Sequence, residues 1–258
     1  MERLQTERPK GLSHSGMRKW GMLFLLLGVF GRSVLQVRYL GLDGMSSDQL
    51  LQAMNAGPEV MLMVTISIVL QFLETCAVPI FSLLLADGFA HTSNPAKYLC
   101  RIAGVAVLSE LPFNYAMSGK LLDLSTRNPA FGLLLAAIVL YLYRQFSQKK
   151  ASNLLIKVFV TLAAVIWCGM LRIEHGVPLV VVTLVFWAFR NKPNIRNLVG
   201  GGAVMACCLY SPFYLVAPMS IMVLHFNNGE KGEENRLVSY LFYPVILTVF
   251  GIAGALAF

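Results

Sequence analysis

Three ionisable side chains stand inside long apolar runs, where charge is costly and is either functional or neutralised. Arg32 lies midway along the first run. Glu74 lies within the second, between Leu73 and Thr75. Glu110 lies within the third, in Ser109-Glu110-Leu111-Pro112-Phe113-Asn114. Arg32 and Glu74 could neutralise each other as a buried pair. Glu110 stands shortly before Pro112, and a proline cannot donate a backbone hydrogen bond and tends to open a helix. An acid at such an opening suits a polar pocket. Two loop histidines are placed for proton transfer, because a neutral imidazole is a natural general base near neutral pH. His91 lies in Asp87-Gly88-Phe89-Ala90-His91-Thr92-Ser93-Asn94. His175 follows Glu174 in the turn Arg172-Ile173-Glu174-His175-Gly176. Each also reads as an ordinary hydrogen-bonded loop residue. His14 and His225 carry no such pattern.

Soluble catalytic signatures are missing. The chain has no G-x-S-x-G, no GxxxxGK[ST] and no HExxH. Gly200-Gly201-Gly202 lacks the strand and spacing of a dinucleotide loop and reads as close helix packing or a flexible helix start. The cysteines are Cys76, Cys100, Cys168, Cys207 and Cys208. They form no CxxC pair and lie in apolar runs, so they read as small buried apolar residues, and no metal is expected.

The elements that must position these groups follow from composition. Hydrophobic residues make up 57% of the chain and charged residues 13%. Soluble domains carry about 45–50% and roughly 25%. A chain of 258 residues can bury a soluble core, so size does not explain the excess. An apolar solvent does. The fold expected is all-α, a polytopic transmembrane helical bundle. Runs near the required ~20 residues are Trp20–Leu40, Val60–Leu85, Tyr98–Met117, Pro129–Phe146, Leu154–Leu171, Val177–Phe189, Leu198–Tyr210, Phe213–Phe226 and Leu237–Phe258. Ser211-Pro212 splits the Leu198–Phe226 stretch. Counting two spans there gives about nine, with about eight as the alternative. The first run lacks a small-residue cleavage site, so it is expected to stay as an anchor.

The net charge of +8 is distributed between the apolar runs. No basic stripe with interleaved aromatics appears, so the expected partner is the lipid bilayer and not nucleic acid. Arg3, Arg8, Lys10, Arg18 and Lys19 precede the first span. Lys97 and Arg101 follow the second, Arg144, Lys149, Lys150 and Lys157 the fourth, and Arg190, Lys192 and Arg196 the sixth. Alternate loops are poorer in Lys and Arg. The positive-inside rule then places the N-terminus in the cytoplasm. No linker or repeat divides the chain, so residues 1–258 are expected to form one membrane domain with a basic cytoplasmic segment at 1–19.

Residues 75–94, with Val78-Pro79-Ile80-Phe81, Asp87-Gly88-Phe89 and His91-Thr92-Ser93-Asn94, resemble a signature of the TraX family. Lys97-Tyr98-Leu99-Cys100-Arg101 is similar to that family's K-Y-x-x-R. The Ser109–Asn114 string resembles its S-E-[IL]-P-F-[DN], and Tyr240-Leu241-Phe242-Tyr243-Pro244 its Y-x-F-Y-P. Asn128 and Phe131 stand where the family has an Asn and a Phe opening a helix.

The resemblance implies a multi-span protein of the bacterial cytoplasmic (inner) membrane that transfers an acetyl or acyl group. The donor would be acetyl-CoA. The acceptor would be an amine or hydroxyl, such as a pilin N-terminus or another envelope component. Such chemistry needs a base for the acceptor proton and a polar group for the oxyanion. Glu110, His91 and Asn128 are the catalytic candidates. Lys97, Arg101, Asp87, Asn114 and Tyr243 are the substrate-binding candidates. Arg32, Glu74, Glu174 and His175 are further polar groups at membrane depth or at its edge. The chain departs from the family pattern twice. Leu26–Arg32 lacks the Asp-His pair usual in the first span, and Tyr243-Pro244 is followed by Val245 and Ile246 without the usual His. These departures support a second expectation, a catalytically degenerate binding or assembly protein. A small-solute transporter using Arg32 and Glu74 is the third, and no inverted repeat supports it.

Overall fold

Pro79 sits four residues beyond Thr75, and its ring and missing N–H oppose the helical turn that would accept at the Thr75 carbonyl. The second apolar run therefore folds as two helices in a computed structural model of the chain: α2, Pro58–Glu74, and α3, Ala77–Ala90. The break is hydrogen-bonded locally. Thr75 N–H donates to the Phe72 carbonyl at 3.3 Å, and the Thr75 hydroxyl donates to the same oxygen at 2.6 Å. Glu74 ends α2 at this break.

The structure describes residues 11–42, 48, 51–52, 55, 57–146, 151–233 and 235–257. Arg3, Arg8, Lys10, Lys149 and Lys150 therefore lie outside the described residues. Helix α1 spans His14–Val29, capped where the Ser13 side chain accepts from Gly16 N–H, and continues as a π-helical stretch over Phe30–Tyr39. Helix α4, Pro95–Ser118, begins on Asn94, whose side chain accepts from Lys97 N–H at 2.9 Å, and ends on Gly119 at φ 73°. The remaining α-helices are α5, Ala130–Gln145; α6, Ala151–Met170; α7, Gly176–Ala188; α8, Pro193–Ala206; α9, Ser220–His225; and α10, Arg236–Ala257. Three short 3-10 turns, Cys207–Leu209, Pro212–Leu215 and Ala217–Met219, join α8 to α9. Among the described residues no strand forms, and the chain is an all-α helical bundle as its composition predicts.

Among the described residues four stretches are long and apolar enough to cross a bilayer: His14–Tyr39, Pro58–Ala90, Ser152–Met170 and Leu237–Ala257. Helix α4 has the length but carries Lys97, Arg101 and Glu110. The Leu198–Phe226 stretch differs from the pair of spans expected there. Helix α8, at 14 residues, rises about 21 Å at 1.5 Å per residue, short of a ~30 Å hydrocarbon core, and α9 is shorter still.

Burial divides the helices by role. Helix α7 is central: Leu179, Val180, Val182, Thr183 and Phe186 are all buried. Helix α8 approaches it closely, because a Cβ on Gly200 would collide with the Phe186 ring. Of the two readings of the three glycines, Gly200 follows the close-packing one, while Gly202 faces open space. Helix α6 is peripheral and exposes Leu155, Phe159, Ile166 and Met170, as a helix facing lipid does.

Each end of the bundle is tied by backbone pairing. At one end Leu12 N–H donates to the Phe226 carbonyl at 2.6 Å and His14 N–H to the Glu230 carbonyl at 2.8 Å. Asp87 on α3 faces His14 at 3.5 Å and Arg196 at 3.6 Å there. At the other end Arg127 N–H donates to the Arg172 carbonyl at 3.1 Å and Glu174 N–H to the Arg127 carbonyl at 2.9 Å. The basic segments around Arg18, Arg196 and Lys231 thus gather at the first end, as the alternation of loop charge predicts.

Candidate functional site

A cavity of about 570 Å³ runs from that basic end into the bundle. Its mouth is built from His14 and Arg18 on α1, Asp87 and His91 at the end of α3, Arg101 on α4, and Lys231 before α10. Its middle is apolar, with Met22, Leu25, Phe81, Leu85, Val105 and Leu133. Glu74, His175 and Tyr243 lie at its deep end. Three separate parts of the chain supply these last groups: the break between α2 and α3, the turn before α7, and the middle of α10.

The deep groups are held by their neighbours. Glu74 is buried and packs directly on Gly28 of α1, where any Cβ would overlap the carboxylate and its stem. His175 adopts a left-handed backbone conformation, φ 55°, in a turn that also holds Arg172 at φ 49°. Non-glycine residues hold that region only where the surroundings enforce it. Here the turn is pinned by the Arg127 and Glu174 backbone bonds. The His175 Nδ1 lies 2.6 Å from the hydroxyl of Tyr214, a fully buried ring that meets the imidazole edge-on. The turn lies outside the spans, yet burial first, and then the Arg32 charge, push the His175 pKa down to about 4. His175 is therefore a neutral imidazole at neutral pH, able to accept a proton or donate an N–H.

The sequence candidates separate into two groups. Arg32 forms its ion pair with Glu174 and not with Glu74. The expected Arg32–Glu74 bridge is corrected accordingly, although the two stay within electrostatic reach. Glu110 and Asn128 come together at the end opposite the mouth and do not line the cavity. The Glu110 carboxylate accepts from Arg127 at 2.6 Å and from the Asn128 side chain at 2.7 Å. The same Asn128 amide nitrogen also donates to the Ala106 carbonyl at 2.9 Å, and its oxygen accepts from Ala130 N–H at 3.0 Å. This is a clamp between α4, the following loop and the start of α5. Nor does Pro112 open the helix beside Glu110. It is carried inside the unbroken α4, and the opened helix is the one at Pro79.

Asp87, His91, Arg101 and Tyr243 line the cavity; Lys97 and Asn114 do not. Asp87 spends its carboxylate on His14 and Arg196, and His91 lies 2.8 Å from the Asp87 carbonyl through Nδ1. Lys97 is exposed in the first turn of α4. Asn114 is buried with neither side-chain atom hydrogen-bonded. Sequence reasoning passed over Tyr214, Arg18 and Lys231. Tyr214 stands 39 positions from His175, and no local pattern announces that pairing. The weight given to Glu74 could have been raised by Pro79, five residues on.

The same chain matches known proteins along most of its length. The family model described as TraX protein matches residues 36–253. A curated relative, described as probable fimbrial assembly protein FimC, serogroup H1, of Dichelobacter nodosus, is 26% identical over 199 residues. The match covers 68% of this chain and 79% of that protein. No solved structure matches. With the family pattern spanning nearly the whole chain, from the π-helical end of α1 to the last turns of α10, the protein belongs to the TraX family.

Proposed function

We infer that this chain is a membrane-embedded acyltransferase acting in pilus or fimbrial assembly. It carries an acetyl or acyl group from acyl-CoA to an amine or hydroxyl acceptor, a pilin subunit being the acceptor that the relative's description favours. The observation that carries the reading is the shape and polarity of the 570 Å³ cavity: a basic mouth, an apolar shaft and a buried base at its end. Phosphates of a CoA molecule suit Arg18, Arg101 and Lys231. The apolar shaft suits a pantetheine arm. At the end, the thioester would meet His175 and Glu74, with the Tyr243 hydroxyl available to the developing oxyanion. The acyl carbon bonds to the acceptor nitrogen or oxygen as its bond to sulfur breaks. The acceptor proton passes to His175 or Glu74 and then to the departing thiolate. Arg101 and Tyr243 keep the roles the sequence suggests. Glu110 and Asn128 belong to the clamp that holds α4 to the start of α5, and His91 acts at the mouth.

The test is transfer of label from radiolabelled acetyl-CoA by the purified chain in detergent or liposomes. His175→Ala and Glu74→Gln are expected to abolish it. A second reading, a non-catalytic assembly protein, draws on the relative's description and on the lack of an Asp-His pair within Leu26–Arg32. Turnover by the wild-type chain would eliminate it, and no binding of acetyl-CoA in calorimetry would favour it.

A further inference from the structure

A second chamber of about 220 Å³ lies beyond the first, lined by Gln71, Thr75, Tyr210, Ser211 and Tyr214. Among the described residues only Glu74 and His175 line both chambers. The second chamber belongs to the other end of the bundle. Helix α8 starts beside Asp87, through Arg196, and runs away from the mouth. Tyr210 and Ser211 follow its far end, and α9 returns the chain to the Leu12–Phe226 pairing. Glu174, also on this chamber, is bonded through its backbone to the Arg127 loop at that same far end. Tyr210 is 53% exposed there, so the chamber is open to its own side.

We propose that the two chambers are separate entrances from opposite membrane faces, meeting at Glu74 and His175, so that an acyl group enters by one and leaves on an acceptor held in the other. The proposal rests on the acyltransfer reading and adds its sidedness and an acceptor site. Among the described residues the second chamber's lining offers carboxylate, amide and hydroxyl groups with aromatic faces and no Lys or Arg. That chemistry receives a neutral polyhydroxylated or amine-bearing group and offers phosphate no direct cationic contact, since Arg32 behind it is paired with Glu174. The bulky anionic donor is thus confined to the basic mouth, and the acceptor need not pass through it. Free CoA leaves the way it came, and the acylated product stays on the far side.

Cysteine labelling with a membrane-impermeant maleimide tests it. The background carries Cys100→Ser and Cys208→Ser, which leaves only buried thiols. Lys231→Cys reports the first mouth; Ser211→Cys and Tyr210→Cys report the second chamber independently. Intact cells and inverted vesicles present the two faces. Lys231→Cys is expected to react at least tenfold faster from one face, and Ser211→Cys and Tyr210→Cys at least tenfold faster from the other. Reaction of all three from the same face, or of neither chamber reporter from the face opposite Lys231→Cys, overturns the proposal. Acetyl-CoA added on the Lys231 side is the separate arm. It is expected to slow labelling of Lys231→Cys and to leave Ser211→Cys unchanged. Opposite sidedness without that protection would defeat the acyltransfer reading while the two entrances stood; protection without opposite sidedness would do the reverse.

Discussion

The His175 imidazole and the Tyr214 hydroxyl meet at 2.6 Å although the residues stand 39 positions apart, one in a turn before α7 and the other in a 3-10 turn after α8. This contact fixes the ring of the proposed base. Tyr214→Phe keeps the aromatic face and removes the hydroxyl. Turnover of acetyl-CoA is expected to fall about tenfold or more, with the fold retained by circular dichroism; unchanged turnover would free His175 from this positioning role.

Protonation of His175 couples pH to stability. Its pKa in the folded chain, about 4, lies below the ordinary 6.5. Between those values the unfolded chain binds a proton that the folded chain does not, so stability is full above pH 6.5 and is lost as pH falls towards 4. The loss is roughly 3–4 kcal/mol at most, at about 1.4 kcal/mol per pKa unit. Melting of the detergent-purified chain across this window should show it, and His175→Gln should flatten that part of the curve.

Gly28→Ala places a methyl group against the Glu74 stem and carboxylate. Overpacking of this kind costs about 1–3 kcal/mol, and here it also displaces the carboxylate from the cavity end. The expected outcome is a lower Tm together with loss of turnover. Ala at Gly202, which faces open space, is the matched control and should change neither.

Pro79→Ala restores the donor and removes the clash that ends α2 at Glu74. The helix is then free to run on through Thr75, and the chain is expected to keep or gain thermal stability. Turnover should fall, because a shift of about 1 Å in a reacting group can cost a hundredfold in rate. A variant that is both equally stable and equally active would show that the break has no part in placing Glu74.

The Glu110–Arg127 pair predicts the opposite balance. Glu110→Gln weakens a half-buried ion pair at the end remote from the mouth and should cost about 1–3 kcal/mol. Turnover per folded molecule is expected to stay within a few-fold of wild type. Arg101→Ala, by contrast, should raise KM for acetyl-CoA about tenfold, near 1.4 kcal/mol, with kcat little changed.

The helices and the grouping of basic segments at one end were legible because both follow from apolar runs and loop charge, which are local properties. The rule that a proline opens a helix beside a buried acid was the right rule attached to the wrong acid. Pro112 is accommodated inside α4, whereas Pro79 breaks its helix next to Glu74. Nothing local separates the two cases. Glu110 drew attention through its motif, yet its partners Arg127 and Asn128 lie a loop away and absorb its charge. Arg32 found Glu174 instead of Glu74 for the same reason: partner choice is decided by how helices cross, which the one-dimensional pattern does not carry. The second entrance was invisible because the Leu198–Phe226 run looks like two spans and folds as a helix followed by short turns.

Those turns between Cys207 and Met219 also shape the surroundings of the protein. A backbone with so few repeating hydrogen bonds is unfavourable against hydrocarbon unless protein or water meets its polar groups. Tyr210, Ser211, Tyr214 and Met219 each donate a backbone N–H to a nearby carbonyl, and the exposed Leu209, Leu215 and Met219 turn apolar side chains outward, so this flank meets hydrocarbon with side chains in place of a continuous helix.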